Sequence, residues 1–356
     1  MTPAPHLTPE RLRDSVQGTL DEFLAEQAQI LADISPDLVP FTDWLGDLLA
    51  GGKRLRPAFC TWGYLGAGGE DLERGLRAAA GLEMLQACAL VHDDVMDDSD
   101  TRRGKPAAHR RFSTLHRGSE WSGDPQRFGD GAAILLGDLC LSWADELIYR
   151  SGFGPEALAR AKAVYDRMRT ELMGGQYLDL LEQARGGGSV ERAMRVVRYK
   201  SAKYTIERPL HLGAALAGAD EAFMAALSAY GLPLGEAFQL RDDVLGVFGD
   251  PAETGKPAGD DLREGKRTVL VNTAMQRADA EQAFHLREGL GDPHLGAEAI
   301  SELRAIIVAT GALDEAEGLI TRRTDEALAA LERVQLAGDA RVALEQLAVA
   351  ATARSV

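Results

Sequence analysis

The chain has 356 residues, with 39 Lys and Arg against 55 Asp and Glu, a formal charge of −16 at pH 7. Hydrophobic residues make up 45% and charged residues 26%, the composition of an ordinary globular protein rather than a disordered or fibrous one. The acidic balance excludes sequence-independent nucleic-acid binding, which needs a basic surface to displace phosphate counterions. It also disfavours docking on anionic lipid.

The N-terminal stretch MTPAPHLTPERLRDSV has no apolar core of signal-peptide type. No apolar run approaches the roughly 18 residues of a spanning helix. These features predict a cytoplasmic protein without integral membrane contact, with residues 1–7 as a flexible leader. Helical spacing then begins at Thr8-Pro9-Glu10, a start signal, and continues through Leu12, Val16, Leu20, Phe23, Leu24 and Ile30 to about Leu31. A glycine turn at Gly51-Gly52 leads into Lys53-Arg54-Leu55-Arg56-Pro57. The same periodicity predicts helices over 71–98, 129–150, 155–183, 189–217, 220–248 and 297–335. Breaks fall at Gly66 to Gly69, Ser113 to Asp130, Gly186 to Gly188 and Gly249 to Gly259, and none is a long linker. Ala and Leu abound and alternating β-branched runs are nearly absent, so the fold class is all-α, one helical domain over residues 1–356. Cys60, Cys88 and Cys140 lie in apolar surroundings without CxxC spacing, as buried reduced thiols do. His109 and His116 read as loop residues, His92 as a hydrogen-bonded helix residue.

Val91-His92-Asp93-Asp94-Val95-Met96-Asp97-Asp98 continues an apolar helix, placing Asp93 with Asp97 on one face and Asp94 with Asp98 on another. Like charges at this spacing repel by a few tenths of a kcal/mol per pair. Either the helix end is solvated or a cation compensates. Mg²⁺ suits such a pattern, because it takes one or two carboxylates plus substrate phosphates. Gln239-Leu240-Arg241-Asp242-Asp243 supplies a second cluster in another apolar helix, able to face the first across a cavity.

Cations interleave with these acids: Lys53, Arg54 and Arg56, then Arg102-Arg103-Gly104-Lys105, Lys200, Lys256 and Lys266. Arginine forks suit phosphate oxygens, and lysines act as point charges. Any one alone reads as solvated surface charge; as a set interleaved with two aspartate clusters they read as an anion site able to take phosphate oxygens.

In order, GGKRLRP, LVHDDVMDDSDTRRGK, FGDGAAILLGDL, GGQYLDL, YKSAKYT, FQLRDDVLGVFGD and GKPAGDDLREGKRT cover nearly the whole chain. On these motifs the sequence resembles the trans-isoprenyl diphosphate synthases, the polyprenyl synthetase family. The resemblance implies a large helical bundle of the isoprenoid synthase type with a central cavity. It implies condensation of isopentenyl diphosphate with an allylic diphosphate (dimethylallyl, geranyl or farnesyl), with three Mg²⁺ ions per substrate-loaded site, in a homodimer. Asp93, Asp97 and Asp242 would be metal ligands, with Asp94, Asp98 and Asp243 as ligands or supports. Arg102, Lys200 and Lys256 would clasp the allylic diphosphate, with Lys266 nearby. Isopentenyl diphosphate would sit on Lys53, Arg56, Gln86 and Arg103, beside the Gly52 backbone. Ser201 and Gln239 would present oxygens to the developing cation; with Lys200 and Arg102 they form the expected catalytic set.

The family's second motif has a fifth-position aspartate where this chain has Gly246; either Asp250 substitutes or the role is dispensable, and the second alternative is preferred. In the family, side chains one turn before the first aspartate cap the product tunnel. Here these are Cys88 and Ala89, roughly 6–7.5 Å before Asp93 along the helix axis. Both are small, so the tunnel is expected to run on towards Leu85, Met84 or Leu82, with geranylgeranyl diphosphate as the leading product. Farnesyl and longer products stay open. A class I terpene cyclase needs no second diphosphate site, and a noncatalytic subunit of a heteromeric synthase usually loses aspartates or basic motifs that this chain keeps.

Overall fold

Thr8 starts the first helix as its sequence predicts, its hydroxyl accepting the Arg11 N–H at 3.2 Å ahead of Pro9 in α1 (Pro9–Ile34). The computed structural model describes residues 7–186, 188–250 and 259–352. Residues 1–6 and Lys256 lie outside the described residues. Leu7, expected in the flexible leader, instead packs against the first core.

A short 3₁₀ turn leads to α2 (Val39–Leu49), then α3 (Leu55–Gly66) and α4 (Leu72–Met96). A two-residue antiparallel hairpin pairs Thr101–Arg102 with Lys105–Pro106. Next come α5 (Ala108–Gly118), α6 (Pro125–Tyr149), α7 (Pro155–Ala184) and α8 (Val190–Val196). The chain continues without a break through a π-helical segment, Val197–Glu207, into α9 (Arg208–Ala217). α10 (Glu221–Phe248) and the short α11 (Asp260–Arg263) precede α12 (Val269–Arg277), α13 (Ala280–Gly289), α14 (Ala297–Ala309), α15 (Ala312–Leu331) and α16 (Ala340–Thr352). Asp71, Asp124 and Asp220 cap α4, α6 and α10 by accepting the orphan N–H groups of Arg74, Gln126 and Phe223. The all-α class therefore stands.

Three local expectations change. The polar run 113–130 holds the end of α5 and the start of α6, so His109 and His116 are buried helix residues, not loop residues. Polar composition misled there because α5 buries one narrow face only. The stretch 297–335 divides at Thr310-Gly311 into α14 and α15. The stretch 189–217, expected as one ordinary helix, is α8, the π segment and α9 in succession, with Tyr199-Lys200-Ser201 inside the π segment.

That segment stands where three buried cores meet. Tyr204 belongs to a core built on α1, α4 and α6, Val197 to one built on α10 and α12 to α15, and Ile206 to one built on α3, α9 and α16. α10 runs through the second and third cores, Leu227, Tyr230 and Leu234 serving one and Ala237, Leu240, Val244 and Val247 the other. Gly175 of α7 lets the π backbone close in: a Cβ there would overlap the backbone of Tyr199 and Lys200. Burying one Leu or Ile side chain in such a core contributes roughly 1.5–3 kcal/mol. The backbone that carries Lys200 and Ser201 is thus held by packing, while their side chains remain half-buried.

Candidate active site

A cavity of about 320 Å³ opens between α4, α7, the π segment, α10 and the α11–α12 connection. Asp93 enters it from α4, where its Oδ1 accepts hydrogen bonds from Gln176 Nε2 at 2.8 Å and Lys200 Nζ at 3.2 Å. Burial works to raise the Asp93 carboxyl, but Lys200, Lys266 and Arg102 outweigh it and hold it below the usual carboxylate range. Asp97 behaves oppositely. Burial and then the Asp93 charge push its carboxyl up to about 6, and its Oδ1 is buried without a hydrogen-bond partner.

Of the four aspartates of this cluster, Asp93 lines the cavity and Asp94, Asp97 and Asp98 do not. Asp94 is fully buried and receives Arg102 Nε at 2.8 Å. Asp98 turns to Arg110, 2.9 Å away, because α4 ends at Met96 and Asp98 takes a left-handed φ of 52°. Helical spacing predicted a shared face for Asp94 and Asp98; the helix stops before that face exists.

Opposite, α10 presents Asp242, Asp243 and Gln239 to the same cavity. Gln239 donates its Nε2 to Asp243 at 2.8 Å, leaving its carbonyl oxygen the group with which to face a ligand. Burial, followed by the charges of Asp261 and Asp242, pushes the Asp243 carboxyl well above its usual range. Asp250 is exposed beyond the end of α10 and does not line the cavity. Between the walls lie the cations. Lys200 bridges Asp93 and Asp179, the latter at 2.7 Å; burial opposes its charge, yet the two carboxylates raise it to about 12. Lys266 reaches Asp97 at 4.0 Å, Asp261 at 3.5 Å and Glu264 at 2.5 Å. Arg102 and Ser201 complete this rim.

The second basic group is also assembled. Arg56 donates to Thr205 Oγ1 at 2.9 Å and lies 4.3 Å above the Tyr204 ring, with its buried Nε unpartnered. Tyr204 in turn donates its hydroxyl to Gln86 Oε1 at 2.8 Å. Arg103 donates to Leu48 O at 2.7 Å, and its guanidinium stands against bare Gly52, where a Cβ would meet Nη2 at 3.3 Å. Partial burial lowers the Arg103 pKa, and Arg54, Arg102 and Arg56 add to this despite Glu83. Lys53 is exposed beside this group, whereas Arg54 turns inward and pairs with buried Glu83 at 2.5 Å.

Of the expected tunnel residues, Ala89 lines the cavity together with Leu90 and Leu172. Cys88 faces α6 instead, its Sγ 3.8 Å from His92 Nδ1, and His92 Nε2 meets Ile134 O at 3.1 Å. Met84 and Leu85 are buried farther back along α4. Gln176, Asp179, Tyr204, Thr205 and Asp261 join the site without having been singled out. Gln176 and Asp179 sit within GGQYLDL, and Asp261 within GKPAGDDLREGKRT, so the motifs held them without assigning them work.

These residues fit divalent magnesium. The orphaned Asp97 oxygen, crowded against Asp93, calls for a hard cation, and Asp93, Asp97 and Asp242 offer oxygen donors. Among the described residues no three His, Cys, Asp or Glu side chains form a chelating group. A bound ion would therefore complete its shell with water and phosphate oxygens, as Mg²⁺ does.

Comparison with known proteins agrees with this geometry. The family described as Polyprenyl synthetase matches residues 41–307. A geranylfarnesyl diphosphate synthase of Aeropyrum pernix is 35% identical over 80% of this chain and 84% of its own. An octaprenyl diphosphate synthase of Haemophilus influenzae is 32% identical over 91% of each chain. The crystal structure of a geranylgeranyl pyrophosphate synthase from Corynebacterium glutamicum, complexed with isoprenyl diphosphate and magnesium, superposes with a TM-score of 0.95. It shares 46% identity and covers 98% of this chain and 100% of that one. The chain belongs to the polyprenyl synthetase family and is a prenyltransferase.

Proposed function

We propose that the two acidic walls hold an allylic diphosphate for ionisation, while Arg56, Gln86, Arg103, Lys53 and the Gly52 backbone hold isopentenyl diphosphate beside it. The observation that carries this reading is the shared cavity of Asp93 on α4 and Asp242 on α10, with Arg102, Lys200 and Lys266 around it. Asp93, Asp97 and Asp242 are the ligands, Asp243 stands behind them, and three ions per loaded site is the stoichiometry adopted. Bound magnesium would neutralise the diphosphate and ease departure of its oxygen from the allylic carbon.

The chain's own residues do the rest. Lys200, Arg102 and Lys266 place positive charge where the leaving diphosphate gains negative charge; one preorganised donor of this kind is typically worth about 3–4 kcal/mol. Ser201 and the free oxygen of Gln239 face the cationic carbon. The isopentenyl double bond attacks that carbon, a C–C bond replaces the broken C–O bond, and the lost proton leaves with the diphosphate. Leu90, Leu172 and Ala89 line the apolar side that keeps water from the cation.

Small Ala89 supports a product of geranylgeranyl length. Exposed Ile134 and Leu135 on α6, and Met173 and Tyr177 on α7, offer apolar surface for a second copy, supporting a homodimer. Continuity of α10 through two cores supports one domain. Three unpaired, buried cysteines support residence in the reducing cytoplasm, and among the described residues no helix is long and apolar enough to cross a membrane.

The test incubates the purified chain with Mg²⁺, isopentenyl diphosphate and geranyl or farnesyl diphosphate, sizing products by chromatography. Linear prenyl diphosphates formed only before EDTA is added are expected. A cyclic hydrocarbon, or no turnover at all, would refute the proposal.

A further inference from the structure

Glu236 lies on α10 one turn before Gln239 and two turns before Asp243, so the three share a stripe of that helix. Beside the stripe, α10 packs directly on the π segment: a Cβ on Gly235 would overlap the Ala202 backbone, and one on Gly231 would press on Glu207. The Glu236 side chain is 2% exposed, and its Oε1 accepts both Nε and Nη2 of Arg198, at 2.9 and 2.7 Å. Arg198 and Ala202, four residues apart, thus both face α10. Lys200 stands midway between them in sequence, and residues two apart on a helix point to roughly opposite sides, about 200° round the axis. It reaches away from α10, to Asp93 on α4 and Asp179 on α7. We propose that Glu236 is a positioning residue: by holding Arg198 it sets how far the π segment is turned about its own axis, and so where Lys200 stands in the cavity it shares with Gln239 and Asp242. The inference rests on the diphosphate reading above.

A plainer role would be to tie helices together. Arg323 of α15 also approaches the carboxylate, its Nε 3.0 Å from Oε2. That Nε is buried and makes no hydrogen bond, and Nη1 of the same guanidinium pairs with Glu326 at 2.7 Å. Glu236 therefore takes charge from two arginines but aligned hydrogen bonds from Arg198 alone. The winding needs such a grip. A π turn is rare because the backbone by itself favours the α form, so an outside contact must hold its register. The glycine contacts set how near the segment lies to α10, and the Arg198 fork sets its rotation.

The experiment compares Arg198→Met with Arg323→Met in the full chain. It reads urea unfolding, turnover of isopentenyl and allylic diphosphates with Mg²⁺, and amide hydrogen exchange of the π segment without substrate. Each variant takes one cation from the same buried carboxylate, so both are expected to lower the urea midpoint. Arg198→Met is expected to lower kcat by roughly 10- to 100-fold, the scale of a misplacement by about 1 Å, and to speed exchange between Val197 and Glu207. Arg323→Met is expected to leave both unchanged. Adding Glu236→Gln to Arg198→Met removes the stranded charge and is expected to return the urea midpoint but not kcat. Wild-type kcat in Arg198→Met overturns the proposal. So does an equal loss of kcat in the two arginine variants, or recovery of kcat along with stability in the double variant, since either would make the carboxylate a tie between helices and nothing more. If Arg198→Met does not fold, Arg198→Lys, which keeps the charge and loses the fork, is held to the same kcat criterion. A wild type that makes no prenyl diphosphate would sink the diphosphate reading instead, and the exchange pattern would still decide the grip on Arg198.

Discussion

Tyr204 donates its hydroxyl to Gln86 at 2.8 Å and so ties the π segment to α4 beneath the Arg56 guanidinium. Burial pushes the phenol pKa up, so this donor keeps its proton at any working pH. Tyr204→Phe leaves the ring under Arg56 but frees Gln86. One neutral hydrogen bond is worth about 1 kcal/mol, so KM for isopentenyl diphosphate is expected to rise about 5-fold with kcat nearly unchanged. Steady-state kinetics with each substrate varied in turn checks this; a rise confined to the allylic substrate would move Gln86 to the other subsite.

Ala89 and Cys88 are neighbours in sequence with opposite surroundings. Ala89→Phe projects into the cavity and is expected to shorten the main product by at least one isoprene unit. Cys88→Phe presses on His92 and α6, with an expected stability cost of about 1–3 kcal/mol from overpacking and no shortening. Product sizing and urea unfolding on both variants would expose the reverse pattern.

His211 imposes a pH dependence on stability. Its Nδ1 accepts from Arg208 at 3.0 Å while Nε2 faces Met224 O at 3.0 Å, an arrangement that requires the neutral ring. Burial lowers its pKa from 6.5 to about 4, with Glu207 opposing and Arg208 adding to the shift. The unfolded chain binds the extra proton between these values, so stability is fully present above pH 6.5 and falls as pH drops towards 4. The whole shift amounts to about 3 kcal/mol, of which about 2 kcal/mol is lost by pH 5. Urea midpoints at pH 7.5 and 5 should differ less in His211→Gln than in wild type.

Arg54 and Glu83 form a buried pair at 2.5 Å, and Arg54 also reaches Gln17 at 2.5 Å. Arg54→Met strands the Glu83 charge, an expected loss of about 3–5 kcal/mol. Adding Glu83→Gln should restore much of it. Denaturant curves on the three variants test this, and additive losses would contradict the pairing.

The helices and both acidic clusters were legible because they rest on local rules: apolar periodicity, caps and i to i+4 spacing. The misreadings share a cause. Asp98 was assigned to a helix face although α4 ends two residues earlier, and helix ends are weakly encoded. Cys88 and Ala89 look alike in sequence, and only the packing of α6 on α4 separates them. Glu236 was invisible as the partner of Arg198 because their adjacency is tertiary, 38 positions apart. The π winding leaves no mark on periodicity, since Tyr199 to Thr205 read equally well as an ordinary helix.

That winding carries one more implication. Each α-helical residue advances the chain by about 100° around its axis. A wider coil between Val197 and Glu207 therefore acts as a phase correction, letting α8 and α9 each keep its own angular alignment with its neighbours. Excising a single codon there would let the stretch tighten, and either Lys200 would swing off Asp93 or the flanking helix would rotate its apolar stripe into water.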